Sequence, residues 1–352
     1  MNEFDFIKRI RERAAQKEPA HSSLITPHPS LLMGIGDDAA VIRQLAGRNT
    51  CITTDLLVED IDFERETFQP RLLGHKALAV SLSDIAAMGA RPRWALLALG
   101  LPADLWESDF IDEFYEGFFA LAKRYDVQLV GGDVSRTPEK IIIDSVVVGE
   151  CAQERAVLRR GARAGDLLFV TGSLGGSAAG LRLLKRGARL VVRDDVDPDA
   201  DSVEQLLLRH LRPEPRVGWG LVLGEEGLAS AMIDISDGLS SDLNHLCQES
   251  DVGALIDAAR LPIDLLVATL CGRRALDPLL LALHGGEDFE LLFTVAPEKV
   301  AHLPKKVDAI SISQIGEITN EPGKICVAEK DRVWDLEPNG FDHFRADLSP
   351  VT

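Results

Sequence analysis

The chain has 352 residues, 46% of them hydrophobic, and a formal net charge of −18. That length exceeds what one hydrophobic core usually serves and argues for about two domains of ~150 to 200 residues each. The negative charge repels a phosphate backbone and no long Lys/Arg block reverses it locally, so nucleic-acid binding is disfavoured. An amphipathic helical pattern opens the chain, mixing both charges and lacking the apolar centre of a secretory signal. A Pro-containing stretch around Pro19, Pro27 and Pro29 then reads as a loop leading to Gly34. AAVIR and TCITTDLLV read as strands, HKALAVSLSDIAAMGA as a helix and RWALLALGLP as a strand. SDFIDEFYEGFFALAKRYD carries a helical apolar stripe, and VQLVGG and KIIIDSVVVGE read as strands, which completes a first α/β unit over about residues 1–150. RAVLRRGARAGD is a connector ending near Asp166, and the second unit, 151–352, begins with the strand DLLFVTG and the helix SAAGLRLLKRG. VEQLLLRHL and the RVGWGLVLGEEG region read as helices, SAMIDIS as a strand and DGLSSDLNHLCQES as a helix. GALIDAARL, FELLFTVA and ISQIGEIT supply further strands.

Cys51, Cys151, Cys247, Cys271 and Cys326 are scattered without a CxxC pair, which suits reduced thiols better than a disulfide framework or a zinc site. No apolar run approaches the ~20 residues that cross a bilayer, so a cytoplasmic protein with no membrane partner is expected.

Carboxylates recur where short apolar runs end, usually beside Gly, Ser or Thr. They are Asp37 and Asp38, Asp55, Asp84, Asp133, Asp234 and Asp237, and Glu287 with Asp288. Gathering so many anions is costly unless something positive sits among them, and hard divalent cations meet that need. Mg²⁺ takes oxygen ligands and is typically held by a few carboxylates together with substrate phosphates, which points to phosphate chemistry. Each residue also has a plainer reading. Asp37, Asp38 and Asp133 suit turns, and Asp234, Ser236 and Asp237 suit the cap of a helix. Asp84 lies either at an exposed rim or beside a ligand. Thr53, Thr54 and Asp55 together offer a set of hard oxygens. Thr171-Gly172-Ser173-Leu174-Gly175-Gly176 either cradles an anion at a helix start or simply turns from strand to helix, and no GxxxxGK[ST] loop is present. The eight histidines form no HExxH pattern or triad signature and read as surface or packing residues.

Taken in order, GIGDDAAVI, TTDLLVE, LAVSLSDIAAMGA, VGGDVSR, DISDGLSSDL and HGGEDFEL resemble the thiamine-monophosphate kinase family, within the superfamily of aminoimidazole ribonucleotide synthetase. The likeness runs from about Gly34 to Phe344. It implies an α/β fold of two domains, with an N-terminal sheet that pairs with that of a second subunit and a C-terminal α/β domain closing the cleft. It also implies a homodimeric enzyme that uses ATP, with several Mg²⁺ ions, to convert thiamine monophosphate to thiamine diphosphate.

By position, the resemblance makes Asp37, Thr53, Thr54, Asp55, Asp84, Asp133, Asp234 and Asp237 metal ligands, with Asp55, Asp84 and Asp133 at the centre of catalysis. Tyr115, Gly132, Asp133, Arg159 and Ser236 become ATP contacts; Glu287 and Phe341 hold the thiamine portion. The family's VEGVHF reads Val58-Glu59-Asp60-Ile61-Asp62-Phe63 here, so Asp62 stands at a substrate contact where the family has His. Asp62 either favours a cationic ring electrostatically or faces solvent. A selenophosphate synthetase would need a Cys or selenocysteine in an N-terminal glycine-rich loop, and no Cys precedes Cys51. A hydrogenase-maturation relative would end in a reactive Cys, whereas the last residues here are Leu348-Ser349-Pro350-Val351-Thr352. A calcium-binding scaffold is the alternative from another class, although the EF-hand spacing is absent.

Overall fold

A computed structural model describes residues 9–10, 12–13, 30–33, 41–190, 202–274 and 277–341. They fall into two compact units that part between Glu154 and Arg155, with Ala86–Gly89 belonging to the second. Residues 9–10 and 12–13 are helical, and the first strands among the described residues form a short antiparallel ladder, β1 (Leu31–Met33) with β2 (Val41–Ile42). The first unit is built on a four-stranded sheet of β3 (Arg48–Val58), β4 (Arg91–Leu101), β5 (Gln128–Arg136) and β6 (Ile142–Ala152), in the order β3-β6-β4-β5. β6 pairs antiparallel with both β3 and β4, whereas β4 and β5 are parallel. A parallel neighbour needs a crossover, and the helix Phe110–Arg124 supplies it.

The helix Pro70–Ala87 is buried from Leu73 through Ser83, so its apolar residues show no stripe. Glycines let it lie close to its neighbours. A Cβ on Gly74 would come within 1.8 Å of the Phe114 carbonyl oxygen, and one on Gly117 within 1.7 Å of the Arg71 carbonyl oxygen. The sequence pattern ends the fifth strand at Gly132, yet β5 continues to Arg136, paired with Leu101 of β4. Its last residues are largely exposed at the sheet's edge and need no apolar side chains to stay in the ladder. Gly132 and Asp133 are therefore strand residues and not a turn.

The second unit is built on a larger sheet formed by β7 (Leu167–Thr171), β8 (Ala231–Asp234), β9 (Gly253–Asp257), β10 (Leu291–Val295), β11 (Lys306–Val307), β12 (Ile310–Thr319), β13 (Ile325–Glu329) and β14 (Arg332–Asp335). The main order is β14-β13-β9-β12-β7-β10-β8, with β11 paired to β12. The pairs are antiparallel except β13 with β9. Leu168, Val170, Ile233, Leu243, Ile256, Leu292 and Ile315 belong to one buried cluster between this sheet and the helix Leu239–Ser250. β8 is an edge strand of the sheet, opposite β14, and its last residue is Asp234. The helices Leu265–Arg274 and Pro278–His284 and the hairpin β13–β14 have no counterpart in the sequence-based elements. No helix among the described residues is long and apolar enough to cross a membrane.

Candidate active site

Alternation along β3 divides its polar residues between two faces. Thr53 and Asp55 face the helix Pro70–Ala87: the Thr53 hydroxyl donates to Asp84, and the Ser81 hydroxyl donates to Asp55 Oδ2 at 2.7 Å. Thr54 lies on the other face, where its hydroxyl donates to Asp144 Oδ1 at 2.6 Å. Asp133 is paired across β4 through Ala98, which also pairs with Asp144, so Asp133 and Asp144 share that second face. Burial pushes the Asp55 carboxyl up to about 6, aided by Asp84 and Asp144, while the Ser81 hydroxyl pulls it down.

Gly132 is required beside Asp133 because a Cβ there would stand 2.1 Å from the Leu97 carbonyl oxygen. Tyr115 is buried at 4% exposure, its ring centroid 5.7 Å from both Phe114 and Phe119, and burial raises its phenol. Asp62 Oδ2 accepts from the Val58 amide at 2.8 Å, closing the turn that leaves β3. Asp37 and Asp38 lie outside the described residues.

The second unit gathers its candidates at the end of β8. Asp234 is buried, and the chain then leaves the sheet through Ile235, Ser236 and Asp237. The Ser236 carbonyl accepts from the Glu287 amide at 2.7 Å, and the Asp237 carbonyl from the Phe341 amide at 3.1 Å. Ile235 binds the same loop on both sides, donating to Glu290 O at 2.8 Å and accepting from the Phe289 amide at 2.9 Å. Ser236, Asp237, Glu287 and Phe341 are thus brought together by main-chain bonds, although about a hundred residues of sequence separate the first two from the last. Glu287 and Phe289 hold positive φ angles of 62° and 49°, a conformation that side chains of this kind rarely adopt and that concentrates at functional loops.

Neither Ser236 nor Asp237 caps the following helix. Gly238 is its N-cap and no side chain caps there; instead Asp242, inside the first turn, accepts from the Asp237 and Gly238 amides at 3.2 and 3.0 Å. Burial pushes the Asp242 carboxyl up to about 8, with Asp234 and Asp237 adding repulsion and the two amides opposing it.

The glycine-rich segment after β7 is also resolved. The amides of Gly175 and Ser177 donate to Asp288 at 2.6 and 3.0 Å, and the Ser173 amide to Glu290 at 3.4 Å. The protein's own carboxylates fill the cradle that an external anion would occupy, so this segment is a strand-to-helix turn. Gly172 is fixed by the same arrangement, since a Cβ would fall 2.0 Å from Glu290 Oε1. Arg159, assigned to nucleotide, is exposed, and its carbonyl accepts from the Ser250 hydroxyl at 3.0 Å.

Sequence reasoning did not single out Ser81, Asp144, Asp242, Arg216 or His210. The first three contact assigned residues from other elements. Arg216 forms a bidentate pair with Glu290, 2.5 Å at each contact, and His210 lies 3.0 Å from Glu287. Ser81 lies inside a helix and Asp144 inside a strand with no local motif, Asp in a helix's first turn is common enough to carry no signal by itself, and a lone Arg or His carries none.

The donors around Asp55 and Asp84, and around Asp234, Asp237 and Asp242, are oxygens, the set that Mg²⁺ takes. Asp55 and Asp242 are both held above the ordinary carboxylate range, partly by neighbouring carboxylates, and a cation nearby relieves that repulsion. Among the described residues no three His, Cys, Asp or Glu side chains form a ready-made cage. Mg²⁺ is commonly held by one or two carboxylates with waters and substrate phosphates, so the donor set fits it.

Family models place the N-terminal domain of AIR synthase related protein on residues 36–151 and its C-terminal domain on residues 163–328. The thiamine-monophosphate kinase of Bacillus subtilis (strain 168) is 37% identical over 350 residues, covering 98% of this chain and 100% of the relative. The crystal structure of thiamine-monophosphate kinase from Stenotrophomonas maltophilia K279a superposes with a TM-score of 0.77 at 38% identity, covering 94% of this chain and 98% of that one. A structure described as AaThiL complexed with AMPPCP and TMP gives a TM-score of 0.71 at 34% identity, over 95% and 96% of the two chains. The chain belongs to the thiamine-monophosphate kinase family, among the AIR synthase related proteins.

Proposed function

We propose that this chain transfers the γ-phosphoryl group of ATP to the phosphate of thiamine monophosphate, giving ADP and thiamine diphosphate. The observation that carries the reading is the main-chain knot in which Ser236 and Asp237 bind Glu287 and Phe341. The family resemblance makes Ser236 a nucleotide contact, Asp237 a metal ligand and Glu287 and Phe341 thiamine contacts, and their adjoining backbone supports that reading. The acceptor already presents a nucleophilic phosphate oxygen, so no general base is required; catalysis rests on alignment and on managing charge.

Asp37, Thr53, Thr54, Asp55, Asp84, Asp133, Asp234 and Asp237 are the residues that would hold Mg²⁺, which when bound supplies neutralisation of the phosphoryl oxygens. Within the first unit, Thr53 of the sheet fixes the Asp84 carboxylate of the helix, and Ser81 of the helix fixes the Asp55 carboxylate of the sheet. Tyr115, Gly132, Asp133, Arg159 and Ser236 serve the nucleotide. Phe341, 41% exposed, offers an aromatic face to the cationic thiazolium, and Glu287 complements its charge. A homodimer belongs to the same reading: β3 is an edge strand whose face opposite Asp55 exposes Ile52 at 69% and Leu56 at 57%, apolar surface suited to a second copy.

The test is a coupled assay of the purified protein with Mg²⁺-ATP and thiamine monophosphate, run beside thiamine and aminoimidazole precursors. Thiamine diphosphate formed only from the monophosphate supports the reading, and turnover of a control in its place overturns it.

A further inference from the structure

His210 lies on the helix Ser202–Leu211, whose buried residues also include Leu206, Leu207 and Leu211. Its side chain is 4% exposed. Its Nδ1 is 3.0 Å from Glu287 Oε2 and 3.1 Å from the Ser177 hydroxyl. A carboxylate can only accept, so it is the Nδ1–H tautomer that serves Glu287 at this distance, with Ser177 Oγ within reach of the same nitrogen. Ser177 is itself fixed, because its amide donates to Asp288 at 3.0 Å. The two consecutive carboxylates of the Gly285-Gly286-Glu287-Asp288 loop are therefore both tied to the start of the helix Gly176–Lys185. Asp288 is tied directly through amides and Glu287 through the imidazole. Glu287 needs such a tie. Its φ of 62° is strained, its amide is bound to Ser236, and its side chain is still 29% exposed.

We infer that His210 is a positioning residue for the acceptor subsite: it holds the Glu287 carboxylate in the orientation that meets the cationic portion of the acceptor. The inference rests on Glu287 being a thiamine contact, as proposed above. It predicts an effect confined to one substrate. Losing the imidazole removes one contact that orients the Glu287 carboxylate but leaves Ser236 and Asp237 in place, so the KM for thiamine monophosphate rises while kcat and the KM for ATP hold.

The test is steady-state kinetics on the full chain, with melting temperatures for each variant. His210→Leu should raise the KM for thiamine monophosphate about tenfold, the scale of one hydrogen bond to a charged group, with kcat and the KM for ATP within about twofold. His210→Asn keeps a donor where Nδ1–H stands and should restore most of the affinity. His210→Gln, which stays polar but carries its donor one bond further out, should not. Combining His210→Leu with Glu287→Gln should raise that KM no further than Glu287→Gln alone, since both remove one interaction.

A KM for thiamine monophosphate that is unchanged in His210→Leu and His210→Gln, while Glu287→Gln raises it, overturns the inference and leaves Glu287 a substrate contact. Parallel losses in kcat, both KM values and melting temperature, unrescued by Asn, overturn it in favour of a packing role. An unchanged KM in Glu287→Gln removes the assignment of Glu287 itself, and the inference with it.

Discussion

In the first unit Asp55 and Asp84 hang from a strand and a helix, each partnered by a hydroxyl from the facing element. In the second, Asp237, Glu287 and Phe341 sit on irregular backbone and are joined by main-chain bonds. The first arrangement is set by side-chain periodicity on rigid elements. The second is set by a loop folded against a strand end, with two residues at positive φ and two buried carboxylates pinning the turn beside it. Substitutions in the first unit should therefore remove chemistry without loosening the fold, whereas those beneath the second unit's loop should reach stability first.

The largest expected effects test the first half of that contrast. Asp84→Asn and Asp133→Asn should each lower turnover by about 10²- to 10³-fold, the scale seen when a preorganised electrostatic group is lost. Melting temperatures should stay within a few degrees, because both side chains are at least partly exposed and carry no core packing. Turnover retained in both variants would refute their assigned role.

Next in size is Arg216→Met. Arg216 and Glu290 are buried together, with side chains 8% and 1% exposed, and Glu290 also accepts from the Thr171 hydroxyl at 2.7 Å. Removing one partner of a buried pair strands the other charge, so unfolding free energy from urea titration should fall by about 3 to 5 kcal/mol. A loss under about 1 kcal/mol would show that the loop does not rest on this pair.

What the sequence made visible follows the same division. Asp55 and Asp84 stand in apolar, strongly patterned segments, so both the elements and the carboxylates were legible, and β3, β4, β6 and β7 appear close to where their apolar runs place them. Ser81 and Asp144 escaped notice because their contacts with Asp55 and Thr54 join elements 26 and 90 residues apart. In the second unit, capping residues suggested a helix cap, and the glycine-rich segment read as a strand-to-helix turn or an anion cradle, of which the structure bears out the turn. The structure gives the amides to Asp242, Asp288 and Glu290, acceptors that no local motif announces. The helices Leu265–Arg274 and Pro278–His284 are short, and apolar runs of that length carry an ambiguous period.

A smaller effect couples the turn of the second unit to pH. Removal from water pushes the Asp288 carboxyl up to about 7, against the pull of the Gly175 and Ser177 amides, with Glu290 raising it further and Arg209 lowering it. An aspartate in the unfolded chain titrates near 3.9, so between about pH 4 and 7 the folded state keeps a proton that the unfolded state has released. Stability from this group is thus full below about pH 4 and is lost as pH rises through about 7. Asp288→Asn cannot titrate, so urea midpoints at pH 5 and pH 7.5 should differ less in the variant than in the parent. An equal difference in both would show that Asp288 does not couple folding to pH.

The smallest expected effect concerns the rim of the first unit. Asp62 Oδ2 accepts from the Val58 amide, while the amides of Ile61 and Asp62 donate back to the Val58 carbonyl at 3.1 and 2.9 Å, so the carboxylate closes a turn at the end of β3. An amide oxygen can accept the same bond. Asp62→Asn should therefore cost about 0.5 kcal/mol or less, while Asp62→Ala, which leaves the Val58 amide without that acceptor, should cost about 1 kcal/mol. If the turn is the whole of its role, Asn changes the KM for thiamine monophosphate by less than about threefold. A tenfold rise on loss of the charge alone would instead make Asp62 a second anionic contact for the acceptor, and the functional surface of the first unit would extend from Asp55 to the turn beyond β3.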